Sequence, residues 1–156
     1  MSEAVAQALV ASGYQAAWVV SGGGSSAIST VLSVAGASAF MLEAQVPYSA
    51  GALRAYGGFT CDGLCSSRVA GALSQVAYAR AERFADEVRP CAGVACTAAL
   101  QTERERRGAD RAHLAVTVKG RHFHRYVAVD AGSRIAQERA LGETLLAFVK
   151  ACVEGK

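Results

Sequence analysis

The chain has 156 residues, of which 52% are apolar and 19% are charged, and its formal net charge is +3. This composition excludes a disordered chain, and the length suits a single domain, residues 1–156, with one hydrophobic core. The small positive charge is scattered among acidic residues. It therefore excludes a nucleic-acid-binding surface but is compatible with a small anionic ligand.

The predicted elements alternate between helix and strand along most of the chain. In chain order they are a helix over Glu3–Ser12, a strand over Gln15–Val20, a helix over Ser25–Val34, a strand over Ala39–Val46 and a short helix from Ser49 to Tyr56. A long helix over Cys65–Phe84, a strand over Cys91–Thr97, a hairpin of His113–Lys119 with Arg121–Val129, and a helix over Ser133–Val153 follow. This order predicts an α/β fold: a three-layer α/β/α sandwich with a mixed sheet that includes a C-terminal β-hairpin.

Neither a membrane segment nor an export signal is predicted. No apolar run reaches the length that a bilayer requires, and no basic stretch precedes an apolar core at the N-terminus. We therefore expect a cytoplasmic protein without a membrane partner. The odd number of cysteines favours reduced thiols over a disulfide framework; they are Cys61, Cys65, Cys91, Cys96 and Cys152.

The connection between the first strand and the next helix, Ser21–Ser25, is the main candidate site. The first turn of a helix has backbone N–H groups without partners and a partial positive charge. Three consecutive glycines, Gly22 to Gly24, let the backbone turn sharply and let a ligand approach closely. With Ser25 or Ser26 as the N-cap, the sequence predicts a cradle for a small anion.

Other interpretations of the same glycines differ in function. A P-loop is excluded, because no Gly-Lys-Ser/Thr follows. A dinucleotide fingerprint fits loosely as Gly22-x-Gly24-x-x-Ala27, with Glu43 twenty-one positions after Gly22. A purely structural turn is the third interpretation. Ser21 argues against it, since a hydroxyl at the carboxyl end of a strand lies where open α/β sheets bind ligands.

Several short motifs resemble the CinA C-terminal domain family. They are Val20-Ser21-Gly22-Gly23-Gly24-Ser25, Ala35-Gly36-Ala37-Ser38, Val46-Pro47-Tyr48-Ser49, Gly93-Val94-Ala95-Cys96-Thr97 and Gly132-Ser133-Arg134. Members of that family read Glu-Ser-Cys-Thr-Gly-Gly at the loop, then Pro-Gly-Ser, Ala-Tyr-Ser and, before the last helix, Gly-Asp-Arg. The family includes nicotinamide mononucleotide amidases, and the resemblance spans nearly the whole chain.

The resemblance implies a set of site residues and a ligand. Ser21 would be the nucleophile or a ligand-orienting hydroxyl, and Tyr48 would assist it. The residues expected to bind the ligand or its phosphate are Gly22, Gly23, Gly24, Ser25, Ser26, Thr97 and Arg134. No metal or cofactor is expected; the partner would be a small anionic or nucleotide ligand, and the chain would form a homo-oligomer.

The sequence departs from the family at a position that is expected to assist catalysis. Active members carry a lysine five residues after the tyrosine, and Leu53 stands there. A serine hydroxyl needs a base, and losing a positioned base costs about 10²–10⁴ in rate. The neighbouring Arg54 stays protonated and cannot act as that base, so Lys119 is the candidate replacement. Binding is thus better supported than amide hydrolysis; a non-catalytic binding or regulatory module and a dinucleotide-binding oxidoreductase fragment are the alternatives.

Three further groups of residues have two interpretations each. His122 and His124 share a strand face and could bind zinc together with His113, although a solvated face is favoured. The charged loop Thr102–Asp110 is either solvated or directs an arginine at a phosphate. The arginines concerned are Arg104, Arg106 and Arg107 in the loop and Arg111 directly after it. Glu43 needs a ligand hydroxyl or an arginine as its partner.

Overall fold

The structure, a computed structural model, describes residues 2–60, 63–86, 88–102 and 109–155. Its helices are α1 (Ser2–Val10), α2 (Ser25–Leu32), α3 (Ala50–Gly57), α4 (Ser67–Phe84) and α5 (Arg134–Val153). Its strands are β1 (Gln15–Ser21), β2 (Met41–Gln45), β3 (Cys91–Ala99), β4 (Arg111–Val118) and β5 (Arg121–Ala128).

The five strands of the described residues form one open mixed sheet in the order β2-β1-β3-β4-β5. The strands β2, β1 and β3 are parallel, whereas β4 runs antiparallel to β3 and forms a hairpin with β5. The predicted mixed sheet with its C-terminal hairpin is therefore confirmed. In this order β1 and β3 are neighbours, so their carboxyl ends meet at one edge of the sheet.

Helices cover both faces of the sheet and create two cores. Alternation along β1 sends Trp18 and Val20 to the larger core, under α1, α2 and α5. The same alternation sends Ala17 and Val19 to the smaller core, which α3 and α4 cover. The predicted three-layer sandwich is confirmed, because apolar residues on both faces of a strand require cover on both sides.

The predicted caps and boundaries differ from the structure at several helices and strands. The N-cap of α2 is Gly24, without a side-chain cap, so the prediction of Ser25 or Ser26 is wrong. The strand β2 starts at Met41 instead of Ala39, because residues Ala37–Ala39 form a 3-10 turn. The helix α4 starts at Ser67 rather than Cys65, since the hydroxyl of Ser66 accepts the Val69 amide and caps it.

Some of the residues singled out in the sequence lie outside the described ranges. They are Cys61 and, in the charged loop, Glu103, Arg104, Glu105, Arg106 and Arg107. Within the described ranges, no helix combines the length and the hydropathy that crossing a membrane requires.

Candidate functional site

Two hydroxyl-bearing residues lie side by side where β1 and β3 end. Ser21 pairs with Thr97 in the parallel register, and both side chains point to the face that α3 and α4 cover. The residue Ser21 is only 6% exposed, and its hydroxyl, which is not one of the fully buried polar atoms, faces the pocket without a hydrogen-bond partner among the described residues. The Thr97 hydroxyl donates to the Leu64 carbonyl oxygen at 2.7 Å. A hydroxyl that faces a pocket without a protein partner has its bonding capacity left for a ligand.

A pocket of about 330 Å³ opens directly at these hydroxyls. It brings together five residues that the sequence predicted for the site: Ser21, Gly22, Tyr48, Thr97 and Arg134. Apolar and weakly polar side chains complete its walls: Ala50, Leu53, Leu64, Cys65, Ala98, Ala99 and Leu100, with Thr102. A small ligand with an apolar body and a few hydrogen-bonding groups suits such a lining.

At the pocket, the guanidinium group of Arg134 is held by neutral acceptors. One of its terminal nitrogens donates to the Gly22 carbonyl oxygen at 2.8 Å and to the Tyr48 hydroxyl at 3.2 Å. The other donates to the Gln101 carbonyl oxygen at 3.0 Å. Because none of these acceptors is a carboxylate, they fix the orientation of Arg134 without neutralising its charge. A planar, oriented cation is well suited to a carboxylate or phosphate.

The amino end of α2 is occupied by a carboxylate of the protein itself. Glu138, on α5, accepts the Gly24 amide at 2.8 Å and the Ser26 amide at 3.1 Å. Its Oε2 also lies 2.6 Å from the Ser26 hydroxyl. The predicted cradle of unpartnered amides is therefore wrong at these two positions. Gly23, Gly24, Ser25 and Ser26 do not line the pocket at Ser21.

The glycines of the loop serve its packing. Gly22 has φ +80°, and a Cβ there would lie 1.9 Å from the Ala98 carbonyl oxygen. Gly24 has φ +102°, and a Cβ there would approach the Cys96 sulfur within 3.2 Å. Both positions require the left-handed backbone that glycine adopts freely, and both lie against β3. This part of the loop therefore fits the structural interpretation, while Ser21 beside it lines the pocket.

None of the described residues that line the pocket is lysine, histidine, aspartate or glutamate, so the usual bases for a serine are absent among them. Leu53 is 2% exposed and belongs to the smaller core. Lys119 follows β4 and lies beside the amino end of β3, because Val118 pairs with Ala92. Thr97 is five residues along β3, or about 17 Å away. The suggestion that Lys119 replaces the family lysine is therefore wrong.

A larger groove, of about 680 Å³, lies at the opposite end of the sheet and includes Lys119, Arg89 and Arg121. The ends of α4 and α5 border it at Ala85 and Val153. Of these cations, Arg89 donates to the Gly13 carbonyl oxygen at 3.4 Å, and Arg121 lies over the Phe123 ring. The groove lies at the opposite end of the sheet from the paired hydroxyls.

Glu43 has an arginine as its partner. Arg80, on α4, donates to both carboxylate oxygens of Glu43: its Nε to Oε2, and a terminal nitrogen to Oε1 at 2.9 Å. The hydrogen bonds from Arg80 hold the pKa of Glu43 below its usual value, against the opposing effect of burial. A carboxylate engaged in this way is not available to a ribose hydroxyl, which disfavours the dinucleotide interpretation.

The three histidines lie on one face of the hairpin but do not converge. His113 Nδ1 lies 3.0 Å from His124 Nε2, while His122 Nδ1 lies 3.0 Å from the Thr117 hydroxyl. Burial, followed by the charges of His124 and Arg111, lowers the pKa of His113. The residues that the structure describes contain no group of three or more metal-binding side chains in reach of one ion.

Glu138 and Cys65 are two residues of this region that the sequence analysis did not place at the site. Glu138 lies 112 positions from Ser26 and belongs to the polar side of α5, so its own position in the sequence does not relate it to the loop. Cys65 lines the pocket, and its sulfur lies 3.4 Å from the Thr97 carbonyl oxygen. The motif Gly132-Ser133-Arg134 could have pointed to Glu138, because four residues after Arg134 lie on the same helix face.

Comparison with known proteins identifies the fold. Neither the protein-family models nor the curated protein sequences contain a match to the chain. A competence/damage-inducible protein, CihA from Agrobacterium tumefaciens, has a structure that matches with a TM-score of 0.79 at 20% identity, over 96% of this chain and 94% of that one. The protein has the CinA fold.

Two further structures support that conclusion. A CinA superfamily protein from Klebsiella pneumoniae matches with a TM-score of 0.78 at 16% identity, over 99% of this chain and 96% of that one. A CinA superfamily protein from Escherichia coli matches with a TM-score of 0.73 at 16% identity, over 96% and 87%. The resemblance stated from the sequence motifs is thereby confirmed at the level of the CinA fold.

Proposed function

We propose that this CinA-like domain binds a small anionic nucleotide, of the pyridine mononucleotide class, in the pocket at Ser21 and Thr97. The observation that carries the proposal is the Ser21 hydroxyl, which has no partner in the described part of the chain and opens to a pocket that Arg134 borders. Hydroxyls on the pocket floor suit a carboxamide, and the guanidinium group of Arg134 suits a phosphate. The resemblance to a family with nicotinamide mononucleotide amidases supports this ligand class.

The same geometry favours binding over hydrolysis of the carboxamide. The pocket residues described by the structure include no lysine, histidine, aspartate or glutamate that could take the Ser21 proton, and Leu53 takes the place of the family lysine. The Tyr48 phenol is 65% exposed and accepts a hydrogen bond from Arg134, so it is oriented as a donor to a ligand rather than as a base. We therefore expect a binding or regulatory module whose amidase rate is at least about 10²-fold below that of an enzyme with a positioned base.

The proposal is tested by titrating the purified chain with nicotinamide mononucleotide in a calorimeter while ammonia is measured in parallel. We expect saturable binding with little or no ammonia release. Arg134→Ala should weaken binding about tenfold or more, because it removes the oriented cation. Ser21→Ala should weaken binding by a smaller factor, through the loss of one neutral hydrogen bond.

Matched controls exist on α5, which carries Arg134, and on α2, which follows Ser21 in the chain. Arg139→Ala removes the same charge from an exposed position of α5, and Ser29→Ala removes an exposed hydroxyl from α2. Both should bind as the unaltered chain does. Absence of binding to any pyridine nucleotide would remove the proposed function, and ammonia release at an enzyme-like rate would replace it by amide hydrolysis.

A homo-oligomer stays a prediction from the family resemblance. Light scattering of the purified chain across a tenfold range of concentration measures it directly. A mass of 16.1 kDa, that of one chain, at every concentration would contradict it.

A further inference from the structure

Glu138 accepts hydrogen bonds from the backbone amides that an anionic ligand would use at the amino end of α2. Its two carboxylate oxygens accept the amides of Gly24 and Ser26, and the Ser26 hydroxyl lies 2.6 Å from Oε2. Phosphates and carboxylates bind helix amino ends through these same backbone N–H groups. An anion of the protein itself therefore occupies the position.

Close packing between α5 and α2 fixes this carboxylate in place. The two helices approach each other at Gly142, where a Cβ would lie 2.0 Å from the Ser26 hydroxyl oxygen. One turn before Glu138 on the same helix, Arg134 donates to the Gly22 carbonyl oxygen. The helix α5 thus binds the loop at two points, with a cation on a carbonyl group and a carboxylate on amides.

We propose that Glu138 is a specificity-determining residue, which closes the amino end of α2 to the anionic groups of ligands and leaves Arg134 as the anion-binding group of the pocket. A second anion at the loop would find the Gly24 and Ser26 amides already used and would be repelled by the carboxylate. The pocket therefore accepts ligands whose negative charge lies at Arg134. The inference rests on the proposed function only for the identity of the pocket.

The test follows the backbone amide resonances of Gly24 and Ser26 in the full chain while inorganic phosphate is added. In the unaltered protein these two resonances should not move. In Glu138→Ala they should shift to saturation, with phosphate binding at least about tenfold tighter at this position than in the unaltered protein. Glu143→Ala removes the same charge from an exposed position of α5 and should behave as the unaltered protein does.

A second variant keeps the test decisive if Glu138→Ala does not fold. Glu138→Gln preserves the size of the side chain without its charge, and its Gly24 and Ser26 resonances should also respond to phosphate, though less than those of the alanine variant. Two results would overturn the inference: a phosphate response in the unaltered protein equal to that of the variants, or folded variants that do not respond.

The two proposals fail separately. The phosphate response at Gly24 and Ser26 does not depend on whether the unaltered protein binds nicotinamide mononucleotide. Failure of that nucleotide to bind would remove the proposed function alone. Absence of a phosphate response in the Glu138 variants would remove the specificity role alone.

Discussion

The end of β1 and the loop that follows it differ in what they leave for a ligand, although they adjoin each other in sequence. The hydroxyl of Ser21 opens to a pocket, and no described residue engages it. Three residues later, the amide of Gly24 is bonded to Glu138, and the loop packs on β3. A glycine-rich connection between a strand and a helix can therefore serve packing while the strand end beside it serves binding.

The largest change in the free energy of unfolding is expected at Gly22. Gly22→Ala places a Cβ in a left-handed conformation and within 1.9 Å of the Ala98 carbonyl oxygen, so β3 or the loop must move. We expect the free energy of unfolding to fall by about 3 kcal/mol or more. Chemical denaturation measures it.

Gly132→Ala is the control, because a Cβ there meets nothing within 4 Å. It should leave the free energy of unfolding within about 0.5 kcal/mol of the original. If Gly22→Ala were equally harmless, the loop would not be held by packing, and the contrast between the loop and Ser21 would be lost.

The next largest effect is expected at Glu138. Glu138→Ala removes a carboxylate that accepts two helix amides, and the free energy of unfolding should fall by about 1–2 kcal/mol. Glu143→Ala, on the exposed side of the same helix, should change it by less than about 0.5 kcal/mol. Equal values for both variants would show that Glu138 does not cap α2.

The sequence predicted the fold well because its layers are encoded locally. Apolar runs bounded by Gly13 and Gly22 indicate β1, and helical spacing of apolar residues indicates α5. Ser21 was predictable too, since it lies at the end of a buried strand, whereas Thr97 was expected only from the family resemblance.

Local signals in the sequence did not predict whether the amides of the loop are free for a ligand or bonded to the protein. A glycine-rich turn before a helix has the same local sequence whether its amides bind a ligand or a distant carboxylate. Glu138 reaches Gly24 across 114 positions, and only the packing of α5 against α2 brings the two together. In the same way, the position of Lys119 at the far end of the sheet follows from the antiparallel register of β4 and not from its own neighbourhood.

The smallest change in the free energy of unfolding is expected at Glu43, a second carboxylate bonded within the protein, which lies away from the loop. The bond to Arg80 lowers the pKa of Glu43 in the folded chain, so its contribution is present above the unfolded-state pKa and is lost as the pH falls through the folded-state pKa. Glu43→Gln should cost about 1 kcal/mol or less at pH 7.

Melting temperatures of both proteins between pH 7 and pH 3 test this pH dependence. The difference between the unaltered chain and Glu43→Gln should shrink as the pH falls. A difference that is constant with pH would show that the ion pair between Glu43 and Arg80 contributes nothing to stability.

The most direct test of the account is a crystal structure of the chain grown with saturating nicotinamide mononucleotide. We predict a ligand in the pocket, with its carboxamide at Ser21, its phosphate at Arg134, and Glu138 still bonded to the Gly24 amide. A ligand phosphate on the amides of Gly24 and Ser26, with Glu138 displaced, would contradict the account.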